Sequence, residues 1–143
     1  MAVTNKLYSN FPLKALTGLI SDLSAASKVK CMLVTSGYSF NQETHTVKAD
    51  ITNEVSGTGY TAGGAFLTSP TVAEATRVTT FDAADVSWAS STITARGAVL
   101  YDDAAANDPL IAFIDFGADK SSDNGTFTVQ WSASGILTLT VAA

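Results

Sequence analysis

Charge is scarce in this chain, and the residues that usually carry chemistry are scarcer still. Only 15% of its 143 residues are charged, against about 25% in ordinary globular domains. Eight bases face thirteen acids, giving a formal charge of −5. The closest bases, Lys28 and Lys30, make no cluster. Binding a nucleic acid requires several phosphates to be neutralised, so no nucleic-acid partner is expected. One cysteine, Cys31, rules out an internal disulfide, and one histidine, His45, together with it cannot supply a zinc site. No run approaches the ~20 apolar residues of a membrane span. Met1 to Lys6 lacks the charged and apolar regions of a secretory signal. The expectation is a soluble protein made in a cytoplasm, with no membrane partner.

What the chain has is apolar residues, 46% of the total, with Thr, Ser, Ala and Gly for its surface. Such a surface is weakly solvated and tolerates contact with another protein. At this length roughly 68–70% of the unfolded chain's surface can be buried, so a core needs no disulfide or metal. Leu13, Leu16, Ile20 and Leu23 fall at helical spacing, predicting a helix over 11–23 with Asn10 as N-cap and Pro12 in the first turn. Residues 1–10 read as an N-terminal arm, and 11–143 as a single β-rich domain.

From Lys28 onward the period becomes two. Val29, Cys31 and Leu33 share one strand face, and Cys31 reads as a small buried hydrophobe. A short helix is expected around Thr44 to Ile51. Strands are expected over Arg77–Phe81, Asp85–Trp88, Ile93–Tyr101, Leu110–Phe116, Phe127–Trp131 and Leu137–Val141. Turn formers fill 102–109, 117–125 and 132–135. The fold class expected is mainly β: an antiparallel β-sandwich, jelly roll or small barrel with a short N-terminal helix and arm.

Searches for a catalytic constellation give structural readings. His45 lies in a polar segment, and no Gly-x-Ser-x-Gly elbow accompanies it. Asp82 and Asp85, or Asp102 and Asp103, could in principle form a glycosidase pair; Asp at strand ends more often caps turns. Asp119 to Gly125 departs from a calcium loop at positions six and twelve, where Asn124 and Gln130 stand, so a turn tipped by Asn124-Gly125 is expected. Gly57-x-Gly59 has no βαβ unit around it. Trp88, Trp131 and the phenylalanines at alternating positions read as core. The expectation is a protein that is not an enzyme, with no catalytic, metal-binding or cofactor-binding residues and no cofactors.

Asn53-Glu-Val-Ser-Gly-Thr-Gly-Tyr-Thr-Ala-Gly-Gly64 resembles a stretch of small virion proteins encoded by tailed bacteriophages. The resemblance continues through Phe81–Trp88, Ile93–Tyr101, Leu110–Gly117, Ser122–Trp131 and Gly135–Leu139, while the part before Lys28 matches less well. It implies a virion component and transfers no catalytic residue. Joined to the low-charge surface and the expected arm, it makes a capsid decoration (cement) protein the leading expectation. That protein would bind the major capsid protein on the outer face of the head, as a homotrimer, with Tyr8, Phe11 and Leu13 as inter-chain contacts. A tail, baseplate or fibre-attachment subunit is the alternative, and a glycan-binding or glycan-hydrolysing module for host attachment is a third.

Overall fold

The computed structural model describes residues 4–143. It is mainly β, with two antiparallel sheets and one short helix, and forms a small β-sandwich-like domain. The strands are β1 (Thr4–Leu7), β2 (Val29–Val34), β3 (Ala65–Phe66), β4 (Thr71–Ala75), β5 (Val78–Asp82), β6 (Val86–Asp102), β7 (Leu110–Val129) and β8 (Leu137–Thr140), with helix α1 (Asn10–Leu16) after β1. The larger sheet has the order β1-β7-β6-β2-β3, and the smaller β4-β5-β8.

Both faces of the larger sheet are covered over β2, Gly97–Tyr101 and Leu110–Ile114, which explains why these runs carry few polar residues, while the remainder of β6 and β7 alternates buried with exposed positions. Val29, Cys31 and Leu33 point into a core shared with Phe81 and Ile136 of the smaller sheet region. Met32 and Val34 alternate with them and join Tyr8, Tyr38, Val99, Tyr101, Leu110 and Phe113 on the opposite face. Trp88, Phe127 and Phe116 fill the first core, in keeping with their alternating positions.

Two pairs of expected strands are single long ones. Strand β6 runs 17 residues and β7 runs 20, joined as one hairpin. The turn-rich segment 117–125 is taken into β7 because Ser91 to Ala95 of β6 supply its hydrogen-bonding partners. Its irregular residues become bulges. Asn124 keeps a left-handed φ of 47° and donates its N–H to Thr92 Oγ1, so Asn124-Gly125 does not tip a turn. The β6–β7 register also jumps between Ala95 and Gly97. There Arg96 bridges Asp115 and Asp119.

The N-terminal region also departs from expectation. Residues 1–3 of the expected arm lie outside the described residues, and the following four form β1. Thr4 pairs with Asp115 and Leu7 with Ala112. The helix stops at Leu16 instead of Leu23. Gly18 turns left-handed at φ 74°, a common helix terminator, and the Asp102 carboxylate then captures the Ser21 N–H at 2.6 Å. Ser9, not Asn10, is the N-cap. The expected helix at 44–51 shrinks to a 3₁₀ turn at Lys48–Asp50, fixed by Thr46 and Val47 N–H groups donating to Asp50.

Candidate protein-contact surface

Helix α1 has two unlike faces. Phe11 enters the shared core and is 5% exposed, whereas Leu13, Leu16 and Leu19 are 59%, 89% and 60% exposed. Three leucines in solvent within seven residues are unusual in a weakly charged chain. Single exposed apolar residues are normal, but a contiguous group marks a contact site. They stay outside because α1 is anchored elsewhere. Tyr8 N–H donates to Ile111 O, Ser9 N–H to Gln42 O and Lys14 Nζ to Thr46 O. These bonds fix the helix with Leu13 and Leu16 outward, and Leu19 follows in the exposed turn after it.

Between α1 and the smaller sheet lies a cleft of about 310 Å³, walled by Leu7, Phe11, Leu16, Leu23, Phe81 and Leu139 among others. Leu139, on the cleft wall, and Val141, just beyond β8, remain 56% and 65% exposed. Apolar surface therefore runs from the helix into the cleft and along β8.

The expected contact residues divide on this geometry. Leu13 is available on the surface. Tyr8 is fully buried and Phe11 nearly so, because both belong to the docked N-terminal segment. The Tyr8 hydroxyl shares a 2.9 Å hydrogen bond with the Tyr38 hydroxyl, which lies 2.8 Å from His45 Nδ1. Burial, foremost, and the Tyr38 hydrogen bond push the Tyr8 pKa well above the usual tyrosine range. The single histidine thus ends a hydrogen-bonded chain instead of facing a nucleophile. Leu16 and Leu19 escaped sequence reasoning. The sequence shows only that Leu16 shares a helical spacing with Leu13, Ile20 and Leu23, and nothing local distinguishes a buried leucine from an exposed one in a seven-residue helix.

The remaining candidates hold structure together. Cys31 is fully buried, and desolvation alone pushes its thiol pKa up. Asp102 is buried and accepts from the backbone of Ser21, Ala104 and Ala105. Asp103 pairs with Lys30 at 3.2 Å. Asp82 accepts from Ala83 N–H and Asp85 from Trp131 N–H. The glycine stretch lies against β2 and β6, not around an open cradle. Gly64, at φ 78°, packs so closely on the Cys31 carbonyl that a Cβ would collide with it. Nearby, Glu54 accepts from the Tyr60 hydroxyl at 2.8 Å and from Gly63 N–H. Among the described residues no three of His, Cys, Asp and Glu gather closely enough to hold a metal ion, and no helix is long and apolar enough to cross a membrane.

No family model, curated protein or solved structure matches this chain.

Proposed function

We propose that this chain is a non-enzymatic structural protein of a bacteriophage virion, a capsid decoration protein that packs its leucine-bearing helix against the major capsid protein. The observation that carries the contact role is the row Leu13, Leu16 and Leu19, held outward by an anchored helix. The virion setting rests on the resemblance of residues 29–139 to small phage virion proteins. Fully burying one leucine is worth about 1.5–3 kcal/mol. Covering these three therefore offers roughly 3–6 kcal/mol, before the losses that accompany association. Repetition over a lattice multiplies such modest contacts.

Capsids purified without this protein provide the test. The added chain should bind them and raise their resistance to heat, and Leu16→Asp should weaken binding about 10- to 100-fold. Failure to bind any capsid, or labelled protein found only at the tail, overturns the proposal.

A further inference from the structure

Four strand edges of the described sheets face outward, and three of them carry a device that discourages pairing with another chain. Strand β1 bears Lys6, β4 bears Glu74 and β3 is only two residues long. Charges and shortness are common ways to blunt an edge. Strand β8 has neither. With the residue after it, Val141, it reads Leu-Thr-Leu-Thr-Val, without charge or proline. It pairs with β5 on one side only among the described residues.

The orientation of its backbone follows from one hydrogen bond. Val141 N–H donates to Arg77 O, so by antiparallel alternation Leu139 and Leu137 also direct their N–H and C=O groups toward β5. The N–H and C=O groups of Thr138 and Thr140 then face away from β5, along the open edge. Leu137 and Leu139 line the cleft under α1, and Val141 follows in the same alternation. An open hydrogen-bonding edge and an uncovered apolar face therefore coincide in five residues. A helix or a lipid would leave the edge groups unpaired, whereas a strand satisfies both features.

We infer that β8 pairs antiparallel with β8 of a second copy of this chain, about a two-fold axis at Leu139. The two three-stranded sheets become one of six strands. The segment is self-complementary in this register. Leu139 meets its own counterpart, Leu137 meets Val141, and Thr138 meets Thr140. Thr138 and Thr140 occupy the hydrogen-bonded positions, as their outward groups require, and Leu139 takes the non-hydrogen-bonded one. Threonine faces threonine across the outer side, a favourable cross-strand pairing. The apolar side chains of both copies share the opposite side and extend the two clefts into each other. No like charges meet. Such an interface is isologous and closes at two copies.

The inference stands apart from the capsid proposal, because the pure protein alone tests it. Sedimentation of the full chain over a range of concentrations should show a dimer that dissociates on dilution. Leu139→Cys should cross-link to a covalent dimer under oxidised glutathione, since opposed residues at this position bring Cβ atoms about 4.5–5.5 Å apart, close to disulfide reach. Thr138→Cys, displaced from the axis, should cross-link poorly, and fully buried Cys31 should not contribute. Leu139→Lys, at an already exposed position, should give a folded monomer. A wild-type monomer at every concentration, a three-fold species, or equal cross-linking at 138 and 139 overturns the inference.

Discussion

Replacing Tyr38 by Phe removes one oxygen from the middle of a buried chain of polar groups. The Tyr38 hydroxyl lies between the Tyr8 hydroxyl and His45 Nδ1, so both hydroxyls have a hydrogen-bonding partner. Tyr8 is 0% exposed, and its hydroxyl has no second partner among the described residues. Tyr38→Phe therefore orphans a buried hydroxyl, at a cost of about 1–3 kcal/mol. Tyr8→Phe is milder. It removes the buried group itself and leaves Tyr38 bonded to His45, for about 0.5–1.5 kcal/mol. The double variant has no orphan, so its loss should fall short of the two single losses combined by about 1 kcal/mol. Urea unfolding followed by tryptophan fluorescence measures all three. Thermal midpoints should drop about 2–4 °C per kcal/mol. Strict additivity, or a neutral Tyr38→Phe, would refute the buried chain and free residue 8 to be the mobile contact that the sequence predicts.

Two further outcomes follow from burial and backbone geometry. All four tyrosines, Tyr8, Tyr38, Tyr60 and Tyr101, are held above their usual pKa of 10.0, with desolvation the largest cause in each. The folded state then retains protons that the unfolded chain releases, so stability is intact below about pH 10 and declines above it. The slope should approach ~1.4 kcal/mol per pH unit for each fully buried tyrosine, and tyrosinate absorbance should rise together with unfolding; titration within the intact fold would contradict this. Gly64→Ala should cost about 2–4 kcal/mol, combining the left-handed backbone penalty with the encounter at the Cys31 carbonyl. Gly125→Ala, whose Cβ would meet only Asp123 O at 3.6 Å, should stay within about 0.5 kcal/mol, and equal losses in chemical denaturation would remove the argument.

The sequence carried the β architecture because alternation survives in short windows. Val29, Cys31 and Leu33 share a face, and Leu110 to Phe116 is covered on both sides, as their patterns imply. Strand length was not legible. Segment 117–125 contains every local turn signal, yet its long-range partners in β6 keep it extended. The end of α1 was hidden for a similar reason. Leu13, Leu16, Ile20 and Leu23 keep perfect helical spacing, but Gly18 and a carboxylate more than eighty positions away decide where the helix stops. The exposure of the N-terminal segment was half visible. Of Tyr8, Phe11 and Leu13 only Leu13 is exposed, and the packing of β1 beside them turns the two aromatic residues inward.

The pairing of β1 with β7 also sets an order of assembly. Thr4 meets Asp115, and Asn5 Nδ2 donates to Ile136 O. On a ribosome β1 cannot pair until Ala112 to Asp115, more than a hundred positions later, have been made. Contacts of such long sequence separation slow folding and prolong the life of incomplete chains. Meanwhile Leu7, Tyr8 and Phe11 lack the β7 side of their surroundings. A truncation that removes β8 but spares β7 should still capture β1, and one that ends before Leu110 should leave a nascent chain that depends on chaperones.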